Sequence, residues 1–204
     1  MPKSSSFEQI GNKDGLEKAF TPTQGYRQYL EIIFNFVDYG KMKKRLKLEI
    51  GDIFCVKISN EKYKFFQFIL CDKFQMESDV IQVFSTISDH CLFENLSDII
   101  KSDIEFYVCT SCKVGFKQGY WEKIGNIPIE NKLEIPPFIS IEDVSPTITK
   151  SHNWRIRNVN EDYQFIGELP SDYKNLTQDG VWPAKYVVNK IETGKFGVPL
   201  EEVE

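Results

Sequence analysis

The sequence has 204 residues, 41% hydrophobic and 14% aromatic with 16 phenylalanines, enough apolar surface for one core with an appendage and no need of disulfides or metal. Its formal charge of −5 is unevenly spread: residues 1–50 carry nine Lys/Arg against six Asp/Glu and residues 51–204 sixteen against twenty-four, a body repelled by nucleic acid and anionic membranes and drawn to basic partners. Five cysteines, an odd number, and a Met-Pro-Lys-Ser-Ser-Ser start with no apolar stretch imply reduced thiols, no secretion signal and a cytoplasmic location, and no apolar run approaches the roughly 20 residues of a membrane helix.

Residues 1–25 mix a serine run with Gly11, Asp14-Gly15 and Pro22, which resists regular structure. From Tyr26 to Val37 the apolar residues Tyr26, Tyr29, Leu30, Ile33, Phe34 and Val37 recur at helical steps, although the alternation Ile32, Phe34, Phe36 also suits a strand. Lys41–Lys47 then holds five basic residues in seven. A solvated connector is the favoured reading over a phosphate-binding arm, because no aromatic residues interleave with the lysines.

After Gly51-Asp52 the pattern is that of a hairpin: Ile53–Ile58, a turn at Ser59-Asn60-Glu61, then Tyr63–Leu70. Phe54, Val56 and Ile58 fall on one side and Ile53 and Cys55 on the other. In the second arm Phe66, Phe68 and Leu70 oppose Tyr63, Phe65 and Ile69. Arms apolar on both faces belong in the middle of a covered sheet or in a barrel wall. Short strands follow at Val80–Phe84, Ile104–Cys109 and Trp121–Ile124, with one helical turn at Asn95–Ile100 that Asn95 or Ser97 can cap. Pro136–Pro146 reads as a surface crossing. A second hairpin, Trp154–Val159 and Tyr163–Leu169, turns at Asn160-Glu161-Asp162. Trp182–Ile191 reads as a helix, with Pro183 in its first turn and Gly194 past its end. Ile124-Gly125-Asn126-Ile127-Pro128 and Ile166-Gly167-Glu168-Leu169-Pro170 share the form Ile-Gly-x-apolar-Pro, in which glycine permits a bulge or close approach and proline ends the strand.

The candidate chemical sites are thin. Cys109-Thr110-Ser111-Cys112 has the spacing of half a zinc site or of a redox pair, but no second pair exists, and Lys113–Phe116 reads as loop or strand rather than the helix a redox motif opens. Buried thiols at a strand end are the favoured reading. His90-Cys91 are sequence neighbours and so point apart on a strand, and His152 lies in a loop composition. The carboxylate pairs Glu142-Asp143, Glu161-Asp162 and Glu201-Glu202 read as solvated charge. With no phosphate loop, nucleophile elbow or zinc motif, the expectation is a non-enzyme with no catalytic residue, metal or cofactor. Trp121 and Trp154 read as core, and Trp182 as core or interface.

Lys47–Phe54, the aromatic strand Tyr63–Leu70 and Gly119-Tyr120-Trp121-Glu122-Lys123-Ile124-Gly125-Asn126-Ile127-Pro128 together resemble the bacterial immunity protein 26 family. Trp154-Arg155-Ile156-Arg157 and Phe165–Pro170 look like that family's C-terminal half. The resemblance implies a cytoplasmic antidote that binds a cognate polymorphic toxin domain, often a nuclease, encoded beside it. Neither the helix-like segment before Lys41 nor the Cys-x-x-Cys pair belongs to the pattern. On this reading Glu161, Asp162, Asp172, Tyr173 and Trp182 are the candidate partner contacts, with no membrane and no nucleic acid as partner. The expected fold is α+β and strand-rich, a strongly twisted sheet or partly open barrel with a few peripheral helices. Residues 1–40 would be a lead-in with a helix, 41–191 the immunity-like domain and 192–204 a tail. The competing function is a small nucleic-acid-binding barrel that uses Lys41–Lys47.

Overall fold

Strands β1 (Asp52–Lys57) and β2 (Tyr63–Asp72) form the antiparallel hairpin that the apolar pattern predicts, joined by a short 3-10 turn at Ser59–Glu61 in which Asn60 is left-handed. In the computed structural model, residues 45–93, 95–130, 133–142, 150–198 and 203 are described, all within the compact unit Lys43–Glu204. The helix expected at Tyr26–Val37 and most of the basic run Lys41–Lys47 lie outside them. Around the hairpin are β3 (Ser78–Ser88), α1 (Ser97–Ile100), β4 (Ile104–Thr110), α2 (Cys112–Gln118) and β5 (Glu122–Asn126). After them come β6 (Phe138–Ile141), β7 (Trp154–Arg157), β8 (Gln164–Gly167), β9 (Val181–Trp182) and α3 (Ala184–Thr193).

The strands make two open sheets, one of six strands ordered β5-β1-β2-β3-β4-β9 and one of three ordered β6-β7-β8. The architecture is α+β and strand-rich, with the first hairpin in the interior of the larger sheet. Phe54, Val56, Phe66 and Phe68 face α3, whose Ala184, Val187 and Ile191 close that side. Ile53, Cys55 and Phe65 face the other way, toward Ile99 of α1. Each fully buried side chain of this size contributes about 1.5–3 kcal/mol, so coverage on both faces is what fixes the hairpin. Leu70 departs from the predicted alternation: β2 shifts register against β3 between Phe68 and Leu70, and Leu70 packs with Ile69 and Phe138 instead. Two buried amides run across the middle strands. Gln67 donates to the carbonyls of Gly51 and Ile127 at 3.1 and 2.7 Å, and Gln82 donates to Gln67 at 3.0 Å.

Both copies of the Ile-Gly-x-apolar-Pro form sit at strand irregularities. Pairing of β5 with β1 slips beside Gly125, where a Cβ would meet the Leu96 side chain at 2.2 Å, and pairing of β8 with β7 slips beside Gly167, whose φ is +75°. Trp121 and Trp154 are buried as expected. Three readings are corrected. Phe138–Ile141 is a buried strand of the small sheet rather than a surface crossing. Residues 112–118 are a helix, closed by Gly119 in the left-handed conformation. Trp182 belongs to β9, and the last helix begins at Ala184, with Pro183 at its N-cap and left-handed Gly194 at its C-cap. Among the described residues no helix is long and apolar enough to cross a membrane.

Gly51 carries the tightest backbone requirement. Its φ is +93°, its N–H donates to the Phe68 carbonyl at 2.8 Å, and a Cβ there would lie 2.4 Å from the Ile127 carbonyl oxygen. Gly51→Ala therefore costs about 2–4 kcal/mol from the left-handed backbone and displacement of a main-chain oxygen. Urea unfolding should show a clearly lower midpoint, and an unchanged midpoint would refute this role.

Candidate functional site

Two hairpin turns, Lys73–Glu77 between β2 and β3 and Asn158–Tyr163 between β7 and β8, are built around shared carboxylates. Asp72 sits at the end of β2, and its Oδ1 accepts from the backbone N–H of Phe74 at 3.0 Å and Gln75 at 3.2 Å, which curls the chain into the first turn. Met76 and Glu77 complete that turn in the left-handed region, with φ of 51° and 52°. In the second turn Asn160 is left-handed as well, φ 63°, a conformation that asparagine tolerates better than most residues. Asn160 also bridges the turns: its Oδ1 accepts from Lys73 N–H at 2.8 Å and its own N–H approaches Asp72 Oδ1 at 3.4 Å.

Arg157, the last residue of β7, lies beneath both turns. Its Nη1 meets Asp72 Oδ2 at 2.8 Å, while Nε and Nη2 make a bidentate pair with Asp179, both at 2.8 Å. The Arg157 and Asp72 side chains are fully buried and that of Asp179 nearly so. Tyr163 donates its hydroxyl to Asp179 at 2.7 Å, and Gln75 donates to both Tyr163 and Asp179, at 2.7 and 2.9 Å. Aromatic rings wall the guanidinium: its Cζ is 5.5 Å from the centre of Phe74, 5.9 Å from Phe138 and 5.8 Å from Tyr163. Removing Arg157 from this buried set costs about 3–5 kcal/mol, because two carboxylates are left without their cation.

Protonation follows from this packing. Burial works against the charge on Arg157, and the two aspartates more than offset it, so the guanidinium is held above its ordinary value. Burial pushes the Tyr163 hydroxyl up to about 12, helped by its bond to Asp179. At Asp179 burial acts to raise the carboxyl, but hydrogen bonds from Arg157, Tyr163 and Gln75 together with the charge of Arg157 outweigh it, and the net shift is downward.

The cysteines are not arranged for chemistry. Cys109 and Cys112 are free and buried, and Cys112 opens α2 with its N–H bonded to Asp79 Oδ2 at 2.8 Å. Burial pushes the Cys109 thiol up to about 12, with Asp179 and Asp72 adding to it. Burial raises the Cys112 thiol well above its ordinary value, with Asp79 adding to it. A helix does follow the Cys-x-x-Cys pair, yet neither thiol is activated. Cys55 and Cys91 are joined as a disulfide, so the expectation of five reduced thiols is corrected; Cys71 is the remaining free one. His90 and His152 are exposed, and His152 Nδ1 lies 3.1 Å from Glu168. Among the described residues no group of three or more His, Cys, Asp and Glu is placed to hold a metal ion.

Against known families, residues 49–148 match the one described as Immunity protein 26. Over that stretch, just under half of its length, the chain resembles the immunity protein 26 family. No curated protein and no solved structure matches the chain.

The matched stretch of the immunity protein 26 family runs from before β1 to past β6 and holds Asp72 and Gln75; β7, β8, β9 and α3, with Arg157, Tyr163 and Asp179, follow it. The Arg157 network thus bonds the family segment to the part of the chain beyond the match. Within the segment the residues that carry the resemblance are structural. Gly51 and Asp52 hold the β1–β5 junction, where buried Asp52 pairs with Lys123 at 2.7 Å and accepts from Asn126 at 2.8 Å. Trp121 fills the core over Gly115, where a Cβ would overlap the indole at 1.9 Å.

Of the candidate contacts read from the sequence, Glu161 and Asp162 are exposed on the second turn and precede β8; Asp172 is exposed in a 3-10 turn at Ser171–Tyr173 that follows it. β8 separates the two acidic groups. Tyr173 packs into the core of the small sheet with Trp154 and Ile139. Trp182 stacks on Phe196 at 3.7 Å and donates to the Gln178 carbonyl at 3.0 Å. Sequence reasoning missed Asp72, Arg157 and Asp179. The available signal was Arg157 itself, a charge two positions after Arg155 in a short strand that needs one face buried.

Two outcomes follow. The depressed Asp179 carboxyl binds fewer protons folded than unfolded, so its stabilisation is complete above about pH 4, the ordinary value for an aspartate, and is lost as pH falls through the lower folded value. Asp179→Asn should cost about 2–3 kcal/mol at pH 7 and flatten the acid limb of stability against pH; an acid limb as steep as the wild type's would contradict this. In native protein at pH 8 without reductant, a thiol reagent should leave Cys109 and Cys112 unmodified until denaturant is added, and rapid labelling of either would overturn the assignment of inert thiols.

Proposed function

We propose that this chain is an immunity protein that binds a cognate polymorphic toxin domain in the bacterial cytoplasm and blocks it without catalysis, a nuclease being the toxin class its charge fits best. The family match over residues 49–148 carries the reading. The acidic balance of residues 51–204 supports it, since a basic nucleic-acid-binding cleft attracts such a body through the long-range field. The binding unit would be the domain of residues 41–191. Glu161, Asp162 and Asp172 are the proposed steering carboxylates, and half-buried Tyr173 and Trp182 their apolar supports.

The nucleic-acid alternative has one structural feature to stand on, a shallow groove of about 460 Å³ lined by Arg45, Lys47, Phe116 and Lys123 among others. Two of its cations are already matched to carboxylates, Lys47 with Glu49 at 2.6 Å and Lys123 with Asp52 at 2.7 Å, which leaves little free charge for phosphates.

Co-expression tests the immunity reading. The toxin domain encoded by the neighbouring gene should arrest growth alone, and this chain should restore it. An active toxin domain that still kills in the presence of the folded chain would refute the proposal. Tight, steeply salt-dependent binding of the chain to DNA or RNA would favour the alternative.

A further inference from the structure

The geometry points to the surface formed by the two welded turns and β8 as the docking site for a cationic polypeptide, with Met76, Phe74 and Phe165 as its apolar anchors. This inference rests on the immunity reading and names the surface that reading leaves open. Met76 is 85% exposed, Phe165 62% and Phe74 44%. They belong to one continuous surface. The Phe74 and Tyr163 rings are 5.7 Å apart, Arg155 Cζ lies 5.7 Å from the Tyr163 ring, and Arg155 is the direct cross-strand partner of Phe165, so both point to the same face.

Three physical features distinguish this surface from scattered exposed side chains. It is rigid beneath, because Asp72, Arg157, Asp179, Tyr163 and Gln75 bond the two turns to one another from inside the protein, and a preordered surface loses less entropy on binding. Among the described residues, three of the five non-glycine residues in left-handed backbone lie on it, Met76, Glu77 and Asn160, the other two being Asn60 and Glu61 of the β1–β2 turn, and such strain gathers at ligand-contacting sites. Its rim is acidic: Glu77, Glu161 and Asp162 are exposed in the two turns alongside Lys73, while Arg155 is paired with Glu142. Exposed aromatic and methionine anchors within a charged ring are the pattern of an interface centre, and the sign of the ring selects a basic partner.

The test uses the full chain and the toxin domain of the neighbouring gene, with affinity read by titration calorimetry. Met76→Ser and Phe165→Ser remove side chains that project into solvent, so each variant should keep the wild-type urea midpoint. Each should weaken binding at least about ten-fold. Ile87→Ser is the control, an exposed apolar residue near the other end of β3, roughly 30 Å from the first turn, and should change affinity less than about two-fold. Glu161→Lys with Asp162→Lys should slow association and flatten its salt dependence. If the wild type binds tightly and both serine variants bind within two-fold of it, this surface is wrong and the immunity reading stands. If the wild type does not bind the active toxin domain at all, both are overturned.

Discussion

A single buried guanidinium, that of Arg157, holds the carboxylates of Asp72 and Asp179 and so ties the end of the long central hairpin to the small three-stranded sheet. Charges taken this far from water are tolerated only when matched in geometry as well as in sign. Here the guanidinium spends one edge on Asp179 and another nitrogen on Asp72, and Tyr163 and Gln75 occupy further lone pairs of Asp179. Apolar packing alone would fill the same space, but it would not fix the direction of two turns at once. The ion pairs do, because each of their bonds ends on an atom of one turn or of its flanking strand.

The parts of the fold legible in the sequence are those with local causes. Two arms apolar on both faces can only be interior strands, and β1 and β2 are. The form Ile-Gly-x-apolar-Pro, with proline three positions after glycine, marks a strand irregularity, and both copies sit at one. Pro183 and Gly194 bracket a helix because proline tolerates the first turn and glycine the left-handed end. Non-local causes hid the rest. β6 is preceded by Pro136-Pro137 and is held by pairing with β7 and by backbone hydrogen bonds between Ile139 and the segment Thr177–Asp179, both of which come later in the chain. α2 is too short to show a helical stripe, and it forms because Trp121 packs over Gly115. The ion-pair partners at 72, 157 and 179 come from three separate segments, and no spacing rule joins them.

The candidate site was legible in the same uneven way. Glu161 and Asp162 follow from turn composition, and the structure exposes them beside the anchors. Tyr173 and Trp182, aromatic residues that follow Pro170 and precede Pro183, lose much of their surface to the Trp154 and Phe196 packings. Met76 and Phe165 could not be read from sequence because exposure of an apolar residue is decided by what the rest of the chain leaves uncovered. Charge was informative at the scale of the whole body and uninformative for individual residues, since Asp72 and Asp179 beside the turns are committed to buried structural bonds.

Amide hydrogen exchange in the wild type and in Arg157→Lys addresses the central claim, that one buried cation orders both turns. Lysine keeps the charge but loses the two-point grip on Asp179. Exchange at Phe74, Gln75 and Asn160 should be slow in the wild type and should accelerate together in the variant, while β1 amides stay protected. Unchanged exchange in both turns, or acceleration in only one of them, would contradict the account.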